Sequence, residues 1–91
     1  MHQDSPTKGQ FYIDIDGHTA AAMTYVWVGV DRIIIDHTEV STALRGQGAG
    51  LQLVTQAVHW AREQGLRVLP LCPFARSVFD KHPEFHDVLA S

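Results

Sequence analysis

The sequence predicts an α/β (α+β) domain with a mixed sheet, in which an antiparallel N-terminal meander is followed by one crossover helix. Three observations support this. Three strand-like segments separated by short turns come first along the 91-residue chain, a long amphipathic helical segment follows, and a fourth strand-like segment comes after it. Strands joined by short turns pair antiparallel, whereas a strand reached through a crossover helix pairs parallel with the strand before it. The sheet is therefore expected to contain both kinds of pairing.

Length and composition favour one small domain. The chain has 91 residues, and 45% of them are hydrophobic, which is enough for a packed core. The first nine residues are mostly polar and show no periodic apolar pattern. We therefore expect a flexible tail over residues 1–9 and a single domain over residues 10–91.

Charge and apolar runs bear on the classes of partner. The formal net charge of −3 argues against a nucleic-acid partner, which would favour a basic surface. No apolar run approaches the roughly 18 residues of a membrane-spanning helix, so no membrane partner is expected. The N-terminal stretch lacks the apolar centre of a signal peptide, and Cys72 is the single cysteine. The predicted location is cytoplasmic.

The first three strands follow from alternation and β-branched residues. Residues 11–15 alternate apolar and polar side chains, which is typical of a half-buried strand. Asp16-Gly17 is a common hairpin turn pair and leads into a long strand over residues 19–30. The third strand covers residues 33–40, where three consecutive isoleucines predict burial on both faces.

The crossover helix is predicted over residues 49–64. Its apolar residues recur at the helical period and form one stripe, namely Leu51, Val54, Ala57, Val58 and Ala61. Gly65 is a typical residue to end it. The fourth strand is expected over residues 68–72, a second helix over 74–81 and a possible edge strand over 85–89.

The segment between the third strand and this helix reads Arg45-Gly46-Gln47-Gly48-Ala49-Gly50. Alternating glycines let backbone N–H groups converge, and a helix N-terminus adds unpaired N–H groups and a positive dipole end. This arrangement binds phosphate or pyrophosphate, although the glycines could also serve only a turn. A P-loop is excluded because Leu51-Gln52 follows the last glycine, and the spacing does not match a Rossmann fingerprint.

The loop resembles the acetyl-CoA signature Arg/Gln-x-x-Gly-x-Gly/Ala of the GNAT superfamily, with Arg45, Gly48 and Gly50 at its fixed positions. Blocks at residues 37–40, 70–74 and 82–85 extend the resemblance to the small single-domain GNAT-like N-acetyltransferases. The resemblance implies a minimal GNAT-like fold with a splayed parallel strand pair, which would tolerate Pro70 within its strand. It implies acetyl-CoA as cofactor. The backbone N–H of Val40 is implied as a donor to the cofactor arm. The loop residues implied to bind the cofactor are Arg45, Gly46, Gln47, Gly48, Ala49 and Gly50.

The same resemblance implies acetyl transfer to an amine, by direct attack on the thioester. The chain is shorter than the usual GNAT domain, and the helices that normally help to shape the acceptor pocket are missing. The acceptor is therefore left open between a small-molecule and a protein amine, and the oligomeric state is also open. The alternative function is an acyl-CoA-binding module with little turnover.

Transfer to an amine requires a base, because a lysine-like amine has a pKa near 10.4. Glu39 and His37 lie two residues apart on the third strand and should share a face beside the loop, where either could accept a proton directly or through water. If the strand instead aims Thr38 and Val40 at the cofactor, both candidates face away. Each could also be only a structural surface residue.

Cys72 ends the fourth strand, close to the expected thioester. It could be a nucleophile, an acid for the leaving thiolate or a buried packing residue, and we favour a place beside the thioester without a stable covalent intermediate. Many GNAT enzymes carry a tyrosine acid on the following helix, where this chain has Phe79, and this difference favours the binding-module alternative. No metal is expected, because Pro83 interrupts the spacing between His82 and His86.

Overall fold

The computed structural model describes residues 1–90 and confirms the predicted mixed fold. The strands are β1 (His2–Asp4), β2 (Lys8–Ile15), β3 (His18–Val28), β4 (Arg32–Val40) and β5 (Arg67–Pro70), and they form one sheet in the order β1-β2-β3-β4-β5. The helices are α1 (Ala49–Gln64) and α2 (Pro73–Lys81), with short 3-10 helices at Thr42–Leu44 and Pro83–Val88. β2 to β4 pair antiparallel and β5 pairs parallel with β4, as predicted, and β1 adds to the edge of β2 in antiparallel pairing.

The turns use the expected glycines. Asp16 and Gly17 both have positive φ, 51° and 81°, which is the backbone of a two-residue hairpin turn between β2 and β3. Gly65 ends α1 with φ 68°. The N–H of Leu66, the next residue, donates to the carbonyl of Ala61 in the last turn of the helix.

Both helices pack on one face of the sheet. The opposite face, called the outer face below, carries no helix formed by residues 1–90. The stripe on α1 is buried from Leu53 to Ala61, but Leu51 is 38% exposed because it lies in the first turn, beyond the core. The predicted burial of the third strand on both faces is wrong. Ile33 and Ile35 are fully buried under α1, whereas Ile34 points to the outer face and is half-buried.

The expected flexible tail at residues 1–9 is not the conformation observed, because His2–Asp4 pairs antiparallel with β2. The His2 ring stacks on Phe11 at 4.1 Å and meets the Trp60 ring at 4.4 Å. Tyr25 Oη donates to Asp4 at 2.7 Å and lies 2.6 Å from His2 Nε2. These contacts hold the segment against the sheet. They could not be predicted from the mostly polar residues 1–9, because the partners of His2 lie far away in the chain.

The titration of His2 should therefore affect stability. Burial lowers the pKa of His2 from its ordinary 6.5, and the charge of Asp4 opposes this only in part. A histidine whose pKa is lowered by folding binds its proton more weakly in the folded state, so its contribution is full above about pH 6.5 and is lost as the pH falls toward the folded pKa. The melting temperature should drop more between pH 7 and pH 5 in the wild type than in His2→Gln. Equal drops in the two proteins would contradict this role.

The C-terminal segment also differs from its prediction. Residues 85–89 do not form an edge strand; Pro83–Val88 is a 3-10 helix, and only Leu89 makes a single bridge to Val68. The cause is packing: Phe85 lies 6.1 Å from the Phe79 ring, and the Arg62 guanidinium binds both Asp87 carboxylate oxygens at 2.8 Å. Ser91, the last residue of the predicted domain, lies outside the described residues.

None of the helices formed by residues 1–90 is long and apolar enough to cross a membrane.

Candidate active site

A β-bulge in β4 decides which residues face the helices. Thr24 of β3 lies opposite His37, whereas the next residue of β3 lies opposite Ile35, so Asp36 is an extra residue without a register partner. One extra residue reverses the alternation of side chains along the rest of the strand. Before the bulge Ile33 and Ile35 face α1, and after it Thr38 and Val40 take that side.

The two predicted bases consequently share a face, as expected, but it is the outer face. His37 Nε2 lies 3.0 Å from Glu39 Oε1, and their side chains are 65% and 78% exposed. His37 stands opposite Thr24 and Glu39 opposite Ala22. The expectation that both point toward the loop is wrong because of the bulge, and Thr38 and Val40 are the residues that do so.

The loop has the conformation of an anion-binding helix start. Gly46 and Gly48 have φ of 80° and 73°, a left-handed backbone that favours glycine. Gly48 is the N-cap of α1, where no side chain caps the helix and the first turn holds no acidic residue. The N–H groups of this turn lack partners within the helix and carry the positive dipole end.

A cleft of about 330 Å³ opens at this helix start, and we call it the loop cleft. Five of the six predicted loop residues line it, namely Arg45, Gly46, Gly48, Ala49 and Gly50. Gln47 does not line it, and its side-chain amide instead donates to the Ala43 carbonyl at 3.1 Å. Thr38, Val40, Leu44 and Phe74 complete the lining of the cleft. The volume of the cleft falls at the low end of the range for ligand pockets.

Gly50 serves a different purpose from the other two glycines. Its φ is not positive, and a Cβ added there would overlap the ring of Phe74, whereas the same addition at Gly46 or Gly48 meets open space. The Phe74 ring, 41% exposed, therefore packs directly on the first turn of α1. The sequence pattern did not point to Phe74 as a cleft residue.

Because of this contact, we expect the effect of Gly50→Ala on the free energy of unfolding to change sign when Phe74 is removed. Gly50→Ala should destabilise the wild type by about 1–2 kcal/mol, because the new methyl group displaces the Phe74 ring. In a Phe74→Ala background, the same change should stabilise by up to about 1 kcal/mol through helix propensity. Urea unfolding of the four proteins measures both values. The same sign in both backgrounds would show that Gly50 does not depend on the ring.

The parallel pair splays open where predicted. The register of β4 with β5 ends at Ile35 and Pro70, after which Leu71 and Cys72 both donate their N–H to the Ile35 carbonyl at 3.0 and 3.1 Å. Beyond this point no strand covers the edge of β4 within the described residues. We call residues 36–40 the open edge.

Cys72 lies at this splay, at the N-cap of α2. It is 6% exposed, and its Sγ lies 3.4 Å from Thr38 Oγ1. The neutral thiol donates to Thr38 Oγ1, and the hydroxyl can donate in return once the sulfur is ionised. Burial opposes ionisation, but the hydrogen bonds with the Thr38 side chain and with the backbone N–H groups of Ala75 and Phe74 hold the pKa of the Cys72 thiol below its ordinary value. Cys72 therefore contacts Thr38, which lines the loop cleft. The two residues are 34 positions apart in the chain, so the sequence does not predict this contact.

The thiolate of the single cysteine can be titrated by its ultraviolet absorbance. We expect a midpoint below that of an ordinary free thiol, because hydrogen-bond donors favour the charged form. Thr38→Val, which removes one donor while keeping the side-chain shape, should raise the midpoint. Cys72→Ser supplies the baseline. A midpoint that does not move in Thr38→Val would contradict this role of the hydroxyl.

The other candidate residues lie elsewhere. Phe79 is fully buried in the core against Phe85 and lines neither the loop cleft nor the open edge. His82 contacts Glu84 at 3.3 Å, and His86 bonds the Phe79 carbonyl at 2.7 Å. Among residues 1–90, no group of three or more histidine, cysteine or acidic side chains is placed to hold a metal ion.

A mixed sheet that splays beside a glycine-rich helix start is the arrangement that the resemblance to the GNAT-like acetyltransferases implied. The chain belongs to the GCN5-related N-acetyltransferase family, whose model matches residues 10–88.

Relatives support this assignment at the level of sequence and structure. The chain is 31% identical over 77 residues to the Bos taurus protein NATD1, covering 84% of this chain and 68% of that protein. A GCN5-like protein from Staphylococcus aureus, solved by NMR, is 35% identical with a TM-score of 0.76, covering 100% of this chain and 88% of that one. The aminoglycoside N-acetyltransferase AAC(6')-Iy in complex with CoA has a TM-score of 0.59 at 18% identity, covering 89% and 68%, and shows the fold alone.

Proposed function

We propose that this chain is an acetyl-CoA-dependent N-acetyltransferase that acts on an amine by direct attack. One observation carries the proposal: the uncapped N-terminus of α1, the Arg45 to Gly50 loop and the open edge of β4 all border the same cleft. Family membership makes the chain an acetyltransferase. The cofactor and the amine acceptor are the finer steps that we propose.

The loop cleft fits a phosphorylated cofactor. Its glycines leave the backbone accessible, the first turn of α1 offers N–H groups, and Arg45 adds a cation beside them. We assign phosphate contacts to Arg45, Gly46, Gly48, Ala49 and Gly50. The N–H of Val40 on the open edge is a candidate donor to the cofactor arm. The structure of AAC(6')-Iy in complex with CoA, which has this fold, is consistent with this use.

The acceptor amine must lose a proton before it attacks. When bound, acetyl-CoA supplies an acetyl thioester, whose carbonyl carbon gains the new C–N bond as its C–S bond breaks. Glu39, hydrogen-bonded to His37 on the outer face, accepts the amine proton directly or through water. His37 is the second candidate for this step, and it also fixes the position of the carboxylate.

The leaving sulfur must be stabilised or receive a proton. Cys72 lies at the splay with a lowered thiol pKa, so it can release a proton more readily than an ordinary thiol. Its Sγ is directed at Thr38 by the 3.4 Å hydrogen bond, next to the open edge. We propose that Cys72 stands beside the thioester as a proton donor and forms no stable acetyl adduct.

A second candidate function is a CoA-binding module with little turnover. One observation favours it: within the described residues no tyrosine borders the loop cleft, because Tyr12 lies on β2, Tyr25 is buried in the core and Phe79 is also buried. Without a tyrosine there, only Cys72 is left as a side chain to protonate the leaving thiolate.

Two measurements separate the candidates. Calorimetric titration with acetyl-CoA tests the cofactor, and thiol release from acetyl-CoA in the presence of a panel of amines tests transfer. Binding with amine-dependent thiol release supports the transferase. Binding without release supports the module, and absence of binding would overturn both.

A further inference from the structure

A row of apolar side chains crosses the outer face of the sheet. Val26 on β3, Ile34 on β4 and Leu69 on β5 are register partners, and each is half-buried although no helix formed by residues 1–90 covers this face. We call these three residues the outer row. Val28, the next residue of β3 on this face, adds an apolar side chain that is 43% exposed. The solvated face of a sheet ordinarily carries polar residues, so an apolar row across three strands indicates a surface that packs against a partner.

Opposite charges flank the outer row at equal distances along β4. Arg32 precedes Ile34 by two residues and Asp36 follows it by two, and both charged residues are exposed. Among residues 1–90, neither of them forms an ion pair. The hydroxyl of Thr24 donates to the Asp36 carboxylate at 2.6 Å and holds it on the outer face. The order along β4 on this face is therefore basic, apolar, acidic.

The other charges near the outer row do not change this order. The Arg67 guanidinium on β5 is held at the edge of the sheet, because it donates to the Asp87 carbonyl. Lys8 on β2 is exposed at the far end of the row, where its charge stays in water. Asp31 lies in the turn before β4. The two charges beside Ile34 on its own strand thus face solvent without a partner of opposite sign.

This order is self-complementary under a two-fold rotation. When two copies stack their outer faces with the strands antiparallel, Ile34 lies against Ile34, and Arg32 of each copy lies against Asp36 of the other. Stacking with the strands parallel places like charges together instead. Antiparallel stacking also satisfies the usual geometry of two packed sheets, whose strand axes stay within about 30° of each other. Charge thus selects one of the two aligned arrangements.

We propose that the outer face is the surface through which two copies of this chain associate, with the two-fold axis through the outer row. Five strands about 4.8 Å apart and a run of about six residues at 3.4 Å each give a footprint of roughly 24 Å by 20 Å. Two such faces bury on the order of 1,000 Å² in total, which is the lower limit for a specific interface. The dimer is therefore weak and depends on the chain concentration.

This association does not rest on the proposed function. Glu39 lies five residues from Ile34 along β4, whereas the footprint extends about three residues to either side of the axis. The proposed base therefore stays accessible when the outer rows pack together. The loop cleft lies on the other side of the sheet, beside α1.

Charge reversal tests the pairing. Arg32→Glu is compared with Arg76→Glu, which has the same net charge but changes an exposed residue of α2, away from the outer face. Asp36→Arg is the reciprocal variant. Sedimentation equilibrium at low salt follows each protein up to about 1 mM, where a weak dimer is populated. Circular dichroism checks that each variant is folded.

The wild type should be mostly dimeric at about 1 mM. Arg32→Glu should raise the dissociation constant at least about tenfold, because both contacts change from attraction to repulsion, whereas Arg76→Glu should stay within about twofold of the wild type. An equimolar mixture of Arg32→Glu and Asp36→Arg should associate more tightly than either variant alone, because such a pair restores opposite charges at both contacts.

Three results would overturn the proposal. They are a wild type that remains monomeric at about 1 mM, equal dissociation constants for Arg32→Glu and Arg76→Glu, and a mixture that associates no better than its components. Asp36 lies at the bulge, so its variant may not be used unless it is folded. In that event the comparison of Arg32→Glu with Arg76→Glu decides. None of these measurements depends on acetyl transfer.

Discussion

Glu39→Gln should lower kcat by about 10²–10⁴-fold, the range expected for loss of a general base. Glutamine keeps the size of the side chain and can still hydrogen-bond to His37, but it cannot accept a proton from the amine. Glu39 is well exposed on the outer face, so the substitution should leave folding intact. Steady-state kinetics with the amine varied at saturating acetyl-CoA measures the effect.

His37→Gln is the matched control, because it removes the hydrogen-bond partner of Glu39 at 3.0 Å while leaving the carboxylate. We expect a smaller loss there than in Glu39→Gln. A large loss in His37→Gln with a silent Glu39→Gln would move the base to the histidine. Two silent variants would contradict the assignment of a base on this strand.

Gly48→Ala should weaken acetyl-CoA binding by at least about tenfold, which corresponds to about 1.4 kcal/mol. A Cβ at this position has no atom of the described residues within 4 Å, so it would project into the open space where we propose that the phosphate approaches the backbone. The left-handed φ of 73° also makes alanine unfavourable, so some stability is lost as well.

Gly65→Ala separates these two effects. Gly65 caps the other end of the same helix with a φ of 68°, and an added Cβ there also meets open space. Both variants should lose similar stability, but only Gly48→Ala should lose affinity in calorimetry. If the two variants bind acetyl-CoA equally well, the loop is not the phosphate site.

Much of the fold could be predicted because its signals are local. The stripe on α1 and the stop at Gly65 are read directly from helical periodicity, and the order of strands around one crossover helix determines the mixed sheet. The segments that differed depend on contacts far apart in the chain. β1 is held by His2 against Phe11 and Trp60, which no local pattern around residues 1–9 encodes.

The site shows the same division. The loop residues follow from a compact motif, and five of the six line the cleft. The orientation of Glu39 could not be predicted, because the bulge at Asp36 depends on pairing with β3 and reverses every side chain after it. Likewise Phe74 reaches Gly50, and Cys72 reaches Thr38, only when α2 has docked beside α1.

The most direct test of the account follows the acetyl group itself. The full chain is incubated with acetyl-CoA that carries an isotope label in the acetyl group, together with a primary amine, and the amine and the intact protein are both examined by mass spectrometry. The account predicts catalytic amounts of labelled amide on the acceptor and no stable label on Cys72. Label that stays on acetyl-CoA despite saturated binding, or that accumulates stoichiometrically on the protein, would contradict it.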